Sequence, residues 1–99
     1  MSTITRVTQK RSTITIKTDI LVQIDESAPH MKSDMRGAEP SFSHHIYTIG
    51  GVVDIRLGDV LIDQNVDIAG KINSYRVEGL PEHFDLDHTE CACTINPGS

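Results

Sequence analysis

Ninety-nine residues suffice for one domain with one modest core and leave little room for a second folding unit. With 37% apolar and 23% charged residues, four aromatics and no Trp, the composition is that of a globular chain with a small aliphatic core, which excludes a low-complexity or disordered class. The formal net charge is -5, no basic stripe is interleaved with aromatics, and no run of about eighteen apolar residues occurs, so sequence-reading nucleic-acid binding and a membrane-spanning helix are excluded.

Period-two alternation dominates the chain. After a short strand around Ile4 to Val7, Ile14 and Ile16 alternate with Thr13, Thr15 and Lys17, and Ile20, Val22 and Ile24 alternate with Leu21 and Gln23. This predicts strand, turn at Lys17 to Asp19, and strand, rich in β-branched residues. Residues 25–41, DESAPHMKSDMRGAEPS, break the pattern with two prolines, a glycine and scattered apolar residues. Seventeen such positions predict a long inserted loop, of the kind that serves as an arm, plug or docking element.

Alternation resumes over His44 to Ile49 and ends at Gly50-Gly51. Further strands are predicted at Asp59 to Asp63, with Val60 and Ile62 on one face, and at Ser74 to Glu78, with Tyr75 and Val77 inward. The last, Thr89 to Ile95, places Cys91, Cys93 and Ile95 on one face and Glu90, Ala92 and Thr94 on the other. No window of eleven residues carries a helical apolar stripe, so little or no helix is expected. The fold class is all-β, a small antiparallel barrel or sandwich spanning 1–99 as a single domain.

Charge is divided along the chain. Residues 1–36 hold six Lys or Arg against four acids, and residues 37–99 hold three against ten. Such an asymmetry suits a subunit presenting opposite charges to two neighbours, or an ordinary solvated surface. The start of the chain has no apolar run long enough for a signal peptide, and the protein is expected in the cytosol with Cys91 and Cys93 as free thiols. Two residues apart on one strand, with parallel Cβ vectors, they have poor geometry for a disulfide.

The strongest chemical constellation is His83, Asp85, Asp87, His88, Cys91 and Cys93, with His44 and His45 elsewhere. Cys-x-Cys is too tight for the paired spacing of structural zinc sites, and the expectation is inward-facing core cysteines and no metal. A small metal-binding module of Cys91, Cys93 and His88 is the alternative. His44 and His45, adjacent on a strand, point to opposite faces. Gly50-Gly51 is not followed by a helix start, so no phosphate cradle is formed. Asp63, Asp67, Asp85 and Asp87 lie in turn-like punctuation. No catalytic residue, no enzymatic activity and no cofactor are expected.

The run HHIYTIGGVVDIRLGDVLID, followed after a gap by SYRVEGLPEHFDLDHTECACTI, resembles the C-terminal half of the head-closure, or stopper, and head–tail joining proteins of tailed bacteriophages. Carrying the resemblance are the strand Ile46 to Ile49, the "GD-apolar-apolar" strand Leu57 to Ile62, the "Y-R-V-x-G" strand Tyr75 to Gly79, the Pro-containing loop Leu80 to Leu86 and the final strand His88 to Ile95. It covers about the last sixty residues, and the first forty follow the family's layout in outline.

The resemblance implies a virion neck subunit, made in the host cytoplasm. It would form a homo-oligomeric ring of six or twelve copies, six preferred, below the portal or adaptor protein and above the tail terminator or tail tube. Such a ring closes the DNA-filled head and provides the platform for the tail. It also implies that the loop at 25–41 reaches towards the channel. There Lys32 and Arg36 would approach genomic DNA or an acidic neighbour, and His30, Met31 and Met35 would make loop-to-loop contacts. Four acids against two basic residues in that loop argue against a direct grip on DNA. Tail-terminator and tail-tube subunits share this architecture and form the second reading.

Overall fold

The computed structural model describes residues 2–26, 43–66, 69–84 and 87–96. Seven strands and no helix occur among them: β1 (Ser2–Arg11), β2 (Ile14–Glu26), β3 (His44–Thr48), β4 (Val60–Asp63), β5 (Ser74–Val77), β6 (Glu82–Phe84) and β7 (His88–Asn96). All the strand pairings are antiparallel. The order β3-β2-β1-β4-β5-β7, with β7 returning to β3, closes six strands into a barrel, so the choice between barrel and sandwich resolves to barrel. The seventh strand, β6, continues the path of β5 along the same edge of β7. At the junction the amides of Glu78 and Gly79 both donate to the Ala92 carbonyl, a bulge that bends the strand.

Strand parity selects the core. Val7 on β1, Ile20, Val22 and Ile24 on β2, Ile46 on β3, Leu61 on β4, Tyr75 and Val77 on β5, and Cys91 and Cys93 on β7 all point inward and are buried, with Ile55 from the loop before β4. Tyr75, Val77, Cys91 and Cys93 lie on the face expected from the alternation. On β4, Val60 and Ile62 share the outer face, and Leu61 fills the interior.

The expected turn at Lys17 to Asp19 does not form, and β2 is one strand of thirteen residues. The turn sits earlier, at Ser12-Thr13, with positive φ at Ser12. What β2 contains around Lys17 is an irregularity of two steps: Val7 faces Ile20, Gln9 faces Lys17 and Lys10 faces Thr15, so β2 carries one extra residue at each step. Asp19 takes a φ of 57°, a conformation that Asp tolerates. Gln64 secures it, donating from Nε2 to Asp19 Oδ1 at 2.8 Å and accepting from the Asp19 amide at 2.8 Å. The strand at Ile4 to Val7 is likewise longer than expected, spanning Ser2–Arg11. Asp25 and Glu26, expected in the long loop, belong to β2 and pair with His45 and His44.

Five inward positions are polar, and hydrogen bonds explain their burial. At one end of the barrel the carboxylate of Asp59, 1% exposed, accepts from Gln9 Nε2 at 2.8 Å, Arg11 Nε at 2.9 Å and the Arg56 amide at 2.9 Å. The Arg56–Asp59 turn delivers it, with Gly58 at φ 89° where a side chain would strain. Burial pushes the Asp59 carboxyl pKa up, but the bonds from Arg11, Arg56 and Gln9 outweigh it and hold it below the usual range.

At the same end, Thr89 Oγ1 donates to the Val53 carbonyl at 3.0 Å and accepts from the Val53 amide at 3.1 Å. Its single proton is thereby used, so His83 Nδ1, 2.8 Å away, must be the donor to it. Thr48 Oγ1 accepts from the Thr89 amide and donates to the Gly51 carbonyl, fastening the loop after β3 to β7.

Removing the Asp59 carboxylate takes an acceptor from the Arg56 amide, the Arg11 guanidinium and one hydrogen of Gln9 Nε2, whose other bond, to the Asp54 carbonyl, remains. Asp59→Ala is expected to lower the unfolding free energy by about 2 kcal/mol, the scale for leaving buried donors without their acceptor. Because the folded-state pKa is depressed, the carboxylate's contribution is present above about pH 4 and is lost as pH falls through the lower folded value. Urea unfolding of both proteins at neutral and acidic pH checks this; equal midpoints would refute it.

Candidate functional site

Among the described residues, the opposite end of the barrel carries a cavity. Glu26, last of β2, pairs with His44, first of β3, so residues 27–42 begin and end at this mouth. His30, Met31, Lys32, Met35 and Arg36, the loop residues singled out for channel or neighbour contact, lie outside the described residues. The mouth itself holds a cavity of about 320 Å³ lined by Thr5, Glu26, His44, Asp63, Asn65 and Tyr75 among others.

Its polar groups satisfy one another. Thr5 Oγ1 donates to Asp63 Oδ1 at 2.8 Å, and Asn65 Nδ2 donates in turn to Thr5 Oγ1. His44 meets Tyr75 edge to face, with centroids 5.2 Å apart, and its Nδ1 lies 2.9 Å from Ser43 Oγ. That hydroxyl also accepts from the Ile95 amide, tying the entry of β3 to the end of β7. Burial lowers the His44 pKa against a smaller opposing pull from the Glu26 carboxylate, and burial likewise raises the Tyr75 phenol. This favours an uncharged ring pair at the neck of the cavity, with Glu26 and Asp63 in its lining.

A second cluster covers the outer face of β3, β7 and β6. His88 Nε2 lies 2.8 Å from Glu90 Oε2 and Nδ1 lies 2.8 Å from Asp87 Oδ2. Both ring nitrogens face carboxylate oxygens, and only the imidazolium can donate to both. The hydrogen bond to Glu90, then that to Asp87, raises the His88 pKa accordingly, and the bond from His88 lowers that of Glu90. The other Glu90 oxygen takes His45 Nε2 at 3.2 Å. Phe84 stacks on His88 at 4.7 Å with 10° between the rings, and Tyr47 lies 4.8 Å from His45. Sequence reasoning left Glu90 and Tyr47 out of its constellation. Their signal was parity: Tyr47 and His45, like Glu90 and His88, are outward pairs on strands that become neighbours.

The same parity dismantles the metal alternative. His88 is on the outer face of β7 and Cys91 and Cys93 are inside, so the three do not converge. Among the described residues no group of three His, Cys, Asp or Glu is placed to hold a metal ion. The thiols are free, buried and 3.7 Å apart, and the hydrogen bond with Cys91 together with burial drives the Cys93 pKa far above the thiol range. His44 and His45 point to opposite faces, as adjacency on a strand requires. His83 belongs to the Thr89 clasp.

No family model, curated protein or solved structure matches this chain.

Two outcomes follow from this geometry. A histidine NMR titration is expected to place His88 above about 6.5 and His44 below it. With its folded pKa raised, His88 stabilises the fold fully below the unfolded value, and that contribution is lost as pH rises through the folded one. His44, lowered, contributes above about 6.5 and loses the contribution as pH falls. Glu90→Gln should move the His88 midpoint down; an unmoved midpoint contradicts the ion pair. In the second, Cys91 and Cys93 should ignore a thiol reagent in the native protein and react once it is unfolded. Rapid native labelling would place them at the surface.

Proposed function

We propose that this chain is a structural subunit of the phage neck, forming a ring below the portal or adaptor, closing the filled head and carrying the tail. The observation that carries the reading is the cavity at one end of the barrel. The segment that the family resemblance assigns to the channel begins and ends there, beside Glu26 and His44, while the opposite end of the barrel is stapled shut by Asp59 and by Thr48 with Thr89. A barrel closed on itself is a rigid block from which one segment can project, and its core among the described residues is drawn from β1 to β5, β7 and the loop before β4.

The hairpin of β1 and β2 adds support. Beyond residue 21, β2 pairs with β3; before it, among the described strands, it pairs only with β1. There Ile14 is 63% and Ile16 42% exposed, apolar side chains on a stretch of β2 whose other edge has no strand partner among the described residues, which suits packing against a neighbouring subunit.

Antibody labelling of particles made by the genome that encodes the chain tests the location: label at the junction of head and tail supports the reading. Label along the tail or at its head-proximal end within the tail selects the tail-tube or tail-terminator reading, and its absence from particles refutes both. In the same particles, replacing residues 29–39 with a short Gly-Ser linker is expected to leave the barrel folded and yield heads that lose DNA or lack tails. Normal titre from that variant would refute the channel role of the segment.

A further inference from the structure

The strand register sorts charge by wall of the barrel rather than by half of the sequence. Outward side chains of β1, β4 and β5 are Ile4, Arg6, Thr8, Lys10, Val60, Ile62, Ser74 and Arg76: three cations and no carboxylate. Lys10 and Arg76 both flank Val60, which pairs with each, so two inter-strand spacings, about 10 Å, separate their backbones. On the other side one row of outward residues runs Gln23, Tyr47, Glu90 and Glu82 across β2, β3, β7 and β6, with Asp25 and His45 in the next row. With Asp87 this wall holds four carboxylates and no Lys or Arg, and the doubly bonded His88 offsets one of them.

In the closed order, β4 at the centre of the basic wall is three strands from β3 at the centre of the acidic wall in either direction. The two walls are therefore back to back on one molecule. Within one copy the acidic wall has only histidine and amide partners and no Lys or Arg, and each wall matches the other in net charge, three positive against three negative.

We infer that the basic wall of one copy docks on the acidic wall of the next, with Arg6, Lys10 and Arg76 set against Asp25, Glu82 and Glu90. The occupant, a second copy, rests on the ring reading above; the surfaces rest on the wall charges alone. Such a contact is head-to-tail: each copy uses two different surfaces, and successive copies close into a ring or continue as a filament. Three dispersed cations without an aromatic platform fit this carboxylate wall better than a nucleic acid, which is bound through phosphate neutralisation and base stacking. Opposite potentials on the meeting faces also align copies before contact and suppress wall-to-like-wall encounters.

Sedimentation velocity at millimolar protein tests the pairing with two variants whose changes lie outside the core. Arg6→Glu/Arg76→Glu makes both walls acidic, and Asp25→Lys/Glu82→Lys reverses acidic positions opposite. Circular dichroism establishes that each is folded. At low salt the wild type is expected to associate beyond a monomer and to return to monomer at about 0.5 M salt, where screening is within a few Å. Each variant alone should associate at least tenfold more weakly, and an equimolar mixture of the two should associate again. A wild type that stays monomeric at low salt, variants that associate as it does, or a mixture that stays monomeric would each overturn the inference. So would wall-dependent capture of an oligonucleotide by a monomeric wild type. Neck labelling with charge-insensitive association fails the wall pairing alone; wall pairing with no label in particles fails the neck reading alone.

Discussion

Six strands close into a barrel when the last to be made finds partners on both of its edges, and β7 does so. One edge takes β3 over Glu90 to Cys93, and the other takes β5 and then β6 in series. Without that strand, β3 and β5 would be left as open edges, the arrangement that invites unwanted pairing. Closure also decides every side chain's address, because each strand's parity is then fixed relative to a single interior. The cysteines of β7 serve as small, close-packed fillers, with Ile46 and Val77 as their neighbours across the two ladders.

The interior is narrow enough that polar side chains complete it, and they are distributed unequally between the ends. Gln9, Asp59, Thr48 and Thr89 gather where β1 and β3 finish and β4 and β7 start, and they hold the loops at 49–59 against the barrel. Thr5, Ser43, His44 and Asp63 gather at the other end and frame a cavity. One sheet thus has one end fixed by the buried Asp59 carboxylate and its donors and another end framing a cavity. That inequality, more than any reactive group, is what gives the molecule a direction.

Much of the strand pattern was legible because burial follows period two in a sheet with one wet face. Tyr75, Val77, Cys91 and Cys93 could be assigned inward from their own neighbours in sequence. Asp19 was misread because turn residues and bulge residues share the same chemistry; only the pairing of Val7 with Ile20 and Gln9 with Lys17 separates them. Asp59 was expected in a strand, and its burial was hidden because an Asp enters the core only with donors, which come from β1 fifty residues earlier. The histidine cluster was half legible: His88 stood out, but its partnership with Glu90 gains His45 and Tyr47 only through the β3–β7 ladder, which closes the barrel. The division of charge was visible as halves of the chain and became walls because Asp25 crosses to the acidic side and Arg76 to the basic one.

The His88 bridge and the charge of the acidic wall depend on the same proton. Protonated, His88 bridges Asp87 and Glu90 beneath Phe84, holding the start of β7 together while cancelling one negative charge of the wall. When the proton leaves, one ring nitrogen turns a lone pair towards a carboxylate, so the local bridge weakens as the wall becomes more negative. Local cohesion and attraction for a basic surface therefore respond in opposite directions to pH, and a docked cation can compensate the second change by sharing Glu90. The proton and an approaching Arg or Lys are then alternative partners for one carboxylate, which makes the surface chemistry of this wall inseparable from the closure of the barrel behind it.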